Sequence, residues 1–104
     1  MRALPIHAAA AEEAAEAAAW YERERPGLGT EFESAIHAAL DLLEQDVVPL
    51  TALPGAAGTQ GVKRLILRRF PYAIIIRDTA ETIFVIAFAH HARRPGYWRE
   101  RMRP

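Results

Sequence analysis

Between Gly61 and Trp98 the chain reads GVKRLILRRFPYAIIIRDTAETIFVIAFAHHARRPGYW, three apolar runs of strand length parted by two short breaks. The first, Val62 to Phe70, ends at Phe70-Pro71, where Pro71 cannot donate to a ladder and biases its predecessor toward extended geometry. The second, Tyr72 to Thr79, contains Ile74, Ile75 and Ile76, a β-branched block suited to a pleated surface. A turn around Ala80-Glu81 leads into the third, Thr82 to His91. Adjacent runs with such short connections predict an antiparallel meander.

Strict alternation on the third run sends Ile83, Val85, Ala87 and Ala89 to one face and Phe84, Ile86 and Phe88 to the other. Both faces are apolar, and the middle run behaves alike. Helices cover one face of such a sheet in a two-layer domain, so the second face needs the C-terminal tail, another copy or a partner. Ala87 and Ala89 suit the close approach of an Ala-rich helix, so their set is expected inward. Phe84 and Phe88 are then expected under the tail or a partner segment.

The preceding residues supply the helices. Ala8 to about Arg25 carries Ala10, Ala14, Ala17 and Tyr21 at helical spacing, with Trp20 and Tyr21 expected to anchor it on the sheet. Arg25-Pro26-Gly27-Leu28-Gly29 reads as a turn. A second helix follows from Leu28 or Thr30 to Gln45, with Phe32, Ile36, Ala39 and Leu43 as its apolar stripe. Thr30 and Glu33 fit a capping box. Arg2 to His7 suits an edge strand that tolerates Pro5, and Val47 to Gly61 is a Pro/Gly-punctuated loop.

The formal net charge of zero conceals an asymmetry. Residues 1–60 hold three arginines and ten carboxylates, giving −7, and residues 61–104 hold ten Lys and Arg against three carboxylates, giving +7. An acidic helical layer and a basic sheet-and-tail surface follow, the latter suited to a polyanion or an acidic partner. With 104 residues and no cysteine, the expectation is one domain (1–104) in the cytoplasm, without disulfide or thiolate chemistry. No apolar run is long enough to span a membrane. Consecutive His90 and His91 face opposite sides of a strand, and no paired-ligand spacing occurs, so neither metal nor cofactor is expected.

The order edge strand, helical hairpin ending in WYERERPGLGTEF, then RLILRRFPYAIII, a hydrophobic strand and HHARRPGYW resembles the RelE/ParE superfamily of toxins from bacterial type II toxin–antitoxin, or plasmid-stabilisation, modules. The likeness spans nearly the whole chain. Its most specific pieces are Arg69-Phe70-Pro71-Tyr72 and His90 through Trp98, and the RPGLG turn and RRPGYW ending look more like the ParE branch. The resemblance implies an α+β, two-layer fold of order β-α-α-β-β-β, a helical hairpin on an antiparallel sheet with the first strand beside the last and a short C-terminal tail or helix.

It also implies function. A ParE-like toxin would bind a cellular target, DNA gyrase, and be neutralised by a cognate antitoxin, in a homodimer or a toxin–antitoxin hetero-oligomer. Candidate target- or antitoxin-binding residues are Arg68, Arg69, Arg77, Phe84, Phe88, Arg93, Arg94, Tyr97 and Trp98. The alternatives are a RelE-like, metal-free, ribosome-dependent mRNA endoribonuclease, with Arg64, His91 and Tyr97 as its catalytic candidates, or a non-toxic partner-binding relative. Against the nuclease, two positions where that branch holds cations are Ala73 and Ile66 here.

Overall fold

A computed structural model describes residues 2–46 and 50–102. Helices α1 (Ala8–Glu24) and α2 (Leu28–Gln45) form a hairpin. A four-stranded antiparallel sheet follows in the order β1 (Thr51–Ala52), β2 (Val62–Ile66), β3 (Tyr72–Asp78) and β4 (Ile83–His90), with a short helix α3 (Gly55–Thr59) between β1 and β2. A single 3₁₀ turn, Arg99–Arg101, lies in the tail. The meander and both helices therefore stand as read from the sequence, and the tail with its short helical turn is one of the two forms that the resemblance implied. The loop expected from Val47 falls partly outside the described residues, as does Arg103 of the basic tail.

The N-terminal segment is not a full strand. It makes two isolated bridges to β4, Ala3 to Thr82 and Ile6 to Val85, and runs parallel to it. The amides of Ile83 and Val85 donate to the carbonyls of Ala3 and Pro5, and His7 N–H returns a bond to Val85 O, each at 2.9 Å. Pro5 is tolerated because only its carbonyl is used. The expected neighbour of the last strand is thus in place, while the fourth regular strand is Thr51–Ala52.

The hairpin is closed by glycine and a carboxylate rather than by the expected capping box. Gly27 occupies the cap position with φ 91°, in the left-handed region, and Thr30 lies inside the helix. Glu22 of α1 accepts from the amides of Gly27 at 2.8 Å and Gly29 at 3.0 Å, neutralising orphan donors of the α2 start. A Cβ at Gly29 would sit 2.4 Å from the carbonyl oxygen of Ala18, so the two backbones cross closely there.

Both helices cover one sheet face. Ala10, Ala17 and Ala18 of α1 and Phe32, Ile36 and Leu43 of α2 pack against Ile74, Ile76, Ile83 and Val85. Tyr21, Phe32 and Phe70 meet pairwise at ring separations of 5.1 Å and bring the β2–β3 connection into this core. Tyr21 anchors α1 as expected, whereas Trp20 turns outward and is 50% exposed.

The facing of β4 follows the expected alternation only as far as Ile86. Ile76 pairs with Val85 and Ile75 with Ala87, so Ile86 is an extra residue, a β-bulge. Beyond it the phase reverses. Ile83 and Val85 point to the hairpin as predicted, but Ala87 and Ala89 join Phe84 and Ile86 on the second face and Phe88 turns in. The expected inward placement of Ala87 and Ala89, and outward placement of Phe88, are corrected by that one inserted residue.

Phe88 is 3% exposed. Truncating it to Ala should cost about 3–5 kcal/mol by urea denaturation, the range for emptying a core phenyl site. Ala89→Ser, on the other face, should cost under about 1 kcal/mol. The reverse ranking would return β4 to unbroken alternation.

Candidate functional site

The second sheet face is half covered by the chain itself. Phe84 (2% exposed) and Trp98 (5%) pack there with Val62, Ile75 and Ile86, and Met102 and Leu53 close the margin. What stays open is a groove of about 490 Å³ between the β1–α3 segment and the tail. Its floor is Ile66, Ala73, Ile75 and Ala89. The alternation of β2 places Ile66 and Arg64 on this face, beyond buried Val62. Ala73 on β3 and Ala89 on β4, made neighbours by the strand register, fill so little volume that the floor is recessed.

The rim is cationic. Arg64 enters from β2, and His91, Arg93, Arg94 and Arg99 enter from the strand end and tail. No carboxylate lines the groove, and none of these four arginines forms an ion pair among the described residues. Several cations around an apolar floor concentrate positive potential at the opening, weakened by salt because the rim side chains are exposed.

One wall depends on a cluster the sequence did not single out. Glu13 of α1 accepts from the Phe88 amide at 3.2 Å, the Tyr97 hydroxyl at 2.6 Å and the Arg101 guanidinium at 2.9 Å. Arg101 also reaches the Ile86 carbonyl at 3.4 Å. The Arg101–Glu13 pair is largely withdrawn from solvent. Arg93 lies 3.8 Å and Arg101 5.1 Å from the Tyr97 ring centre, so the ring is held by cations. Burial first, then the hydrogen bond to Glu13, raises the Tyr97 pKa well above its ordinary 10.0.

The candidate residues sort by position. Arg64, His91 and Tyr97 do line one groove, with Arg93 and Arg94 beside them. The Tyr97 hydroxyl, however, is committed to Glu13. Arg69 pairs with Glu31 of α2 at 2.7 Å, on the helical side, and Arg68 is exposed in the β2–β3 connection; neither lines the groove. Arg77 binds the carbonyls of Gln60 at 3.1 Å and Met102 at 3.4 Å and ties the tail down. Phe84, Phe88 and Trp98 are buried within the chain, Phe84 with Trp98 of the tail, as one of the two expected arrangements has it, and Phe88 against the hairpin.

The groove wall from Leu53, Pro54 and Ala57 lay in what reads as a loop, and only its run of small residues hinted at a compact turn. Among the described residues there is no group of three or more His, Cys, Asp or Glu that could hold a metal. No described helix is long and apolar enough to cross a membrane.

With that geometry in hand, comparison with solved structures identifies the fold. A chain from a structure described as the chromosomal ParDE TA system from P. aeruginosa superposes with a TM-score of 0.72 at 18% identity, covering 86% of this chain and 96% of that one. The present chain thus has the two-layer α+β fold of the RelE/ParE type that its sequence resembles. No family model and no curated protein matches it.

The Tyr97 arrangement sets an alkaline test. A folded-state pKa above the unfolded 10.0 contributes stability that is complete below pH 10 and is lost as pH rises beyond it. Burial also raises the other two tyrosines, Tyr21 and Tyr72. Tyrosinate absorbance should therefore lag that of free tyrosine and rise together with unfolding, and Glu13→Gln should bring one tyrosine back toward its ordinary value. A tyrosine titrating near pH 10 in the folded wild-type chain would contradict the arrangement.

Proposed function

We propose that this chain is the ParE-like toxin component of a bacterial type II toxin–antitoxin system, acting in the cytoplasm by binding DNA gyrase and neutralised by a cognate antitoxin. The fold likeness to a chain of a ParDE system supports the class. The observation that carries the mode of action is the floor of the groove. Where a metal-free ribonuclease of this fold would set cations against the scissile phosphate, Ile66 and Ala73 present hydrocarbon. Without those charges much of the electrostatic stabilisation of a phosphorane-like transition state is missing.

The gathering of Arg64, His91 and Tyr97 in one groove favours a second reading, mRNA cleavage. Against it, a tyrosine with a raised pKa, hydrogen-bonded to a carboxylate, is poorly matched to proton transfer near neutral pH. Induced expression should therefore arrest growth with DNA-damage signalling and without early loss of mRNA. Co-expression of a cognate antitoxin should restore growth. Rapid cleavage of translated mRNA on induction would favour the nuclease, and unimpaired growth the non-toxic relative.

A further inference from the structure

We infer that a second cavity, of about 280 Å³, at the corner where α1 meets the start of β3 and the end of β4, is a site for the guanidinium group of an outside ligand. One wall comes from α1, where Glu13, Glu16, Ala17 and Trp20 stand at helical spacing and so share one face. Tyr72 and His90, paired across β3 and β4 with ring centres 5.1 Å apart at 86°, build the second. The tail adds Tyr97 and Arg93. His90, Arg93 and Tyr97 border the groove as well, but the α1 wall belongs to this cavity alone. The site stands whether or not the chain arrests growth.

Trp20 points to the ligand first. Its indole, the best aromatic face for a cation, is 50% exposed, although an indole gains most by burial. Ala17, one turn before it, is too small to fill the recess.

Glu16 points to the same charge. It is exposed and makes no ion pair and no side-chain hydrogen bond among the described residues, whereas Glu13 is engaged by Tyr97 and Arg101. Glu16 and Trp20 are four residues apart on α1, so carboxylate and ring are neighbours. A guanidinium can lie flat on such a ring and send parallel N–H groups to such a carboxylate. An ammonium is more strongly hydrated and has no flat face.

The chain demonstrates the contact with its own side chain. In this cavity the Arg93 guanidinium lies 3.8 Å from the Tyr97 ring centre, and Glu13 accepts from the hydroxyl of that ring at 2.6 Å. Trp20 and Glu16 repeat the pairing of ring and carboxylate, and no described Lys or Arg stacks on Trp20. Arg93 is exposed and in no ion pair among the described residues. It is therefore a built-in competitor, covering one ring and repelling a second cation.

The test titrates the full isotope-labelled chain with blocked arginine, blocked lysine and blocked citrulline, the neutral isostere, followed by NMR at the Trp20 indole and the amides of the cavity. Arginine should bind roughly tenfold or more tighter than citrulline and measurably tighter than lysine. Glu16→Gln and Trp20→Leu should each weaken arginine by roughly fivefold. Arg93→Gln should tighten it by roughly twofold or more, because a like charge is removed. Glu33→Gln, on the exposed side of α2, should leave it unchanged. All four sites are exposed, and circular dichroism checks that the variants stay folded.

An alkylguanidinium bound as tightly as blocked arginine would support the site as one for a small free cation. A gain on extending arginine into a peptide would support it as one for an arginine of a partner chain. Equal affinity for arginine and lysine, or an equal loss in Glu33→Gln, would reduce the contact to unspecific attraction by the acidic layer and overturn the inference. Tighter binding of tetramethylammonium would also overturn it, as would weaker arginine binding in Arg93→Gln or no binding at all.

Discussion

Glu13 is where the two layers and the tail are joined. The bulge at Ile86 displaces the polar groups on the outer edge of β4 just where the N-terminal segment stops pairing with it. An amide and a carbonyl at a sheet edge cannot be left buried and unbonded without a cost of about 1–3 kcal/mol each. Glu13 takes the Phe88 amide and Arg101 reaches the Ile86 carbonyl, and the two side chains then pair with each other. Tyr97 adds its hydroxyl. A carboxylate with three donors, one of them a cation, is well satisfied despite its burial, and among the described residues no buried side-chain polar atom lacks a partner.

Much of the rest follows from that joint. Because the bulge reverses the phase of β4, the large Phe88 enters the hairpin core and the small Ala87 and Ala89 fall on the opposite face. Because Arg101 and Tyr97 are fixed on α1 and the β4 edge, the residues before them must arch across that face, seating Trp98 over Ile75 and Ile86. The groove is the space between that arch and the β1–α3 wall, floored in part by Ala89, which the bulge turned to that face. A structural carboxylate on the first helix therefore shapes a cationic surface contributed wholly by the second half of the chain.

How far the sequence alone could reach is visible at the same points. The three strands and two helices were legible because each carries a sustained local pattern: the Ile block of β3, the stripe Phe32, Ile36, Ala39 and Leu43, the Pro71 break. Arg64 and Ile66 entered only through the resemblance to the ribonuclease branch, and the pairing of β2 with β3 is what sets them on one face. The bulge was not legible, because a run of apolar residues on both faces, IFVIAFA, gives no polar residue to mark the change of phase. Glu13 was hidden for a similar reason: beside Glu12 and Glu16 in an Ala-rich helix it reads as one more solvated carboxylate, and only the fold brings Arg101 to it from 88 residues away.

The charge asymmetry reads differently once these contacts are placed. Opposite halves of −7 and +7 could have cancelled across the interface between the layers. In part they do, through Arg69–Glu31 and Arg101–Glu13, each a cation of the second half on a carboxylate of the first. Neither pair has a member in the groove lining, although Glu13 holds Tyr97 of its wall. The arginines left over, Arg64, Arg93, Arg94 and Arg99, converge on one opening. Like charges gathered there repel one another and weaken the folded state, a cost that solvent screening reduces but does not remove. Stability alone would favour a carboxylate among them. Its absence leaves positive charge and recessed hydrocarbon side by side in a groove whose cationic rim and apolar floor both come from the second half of the chain.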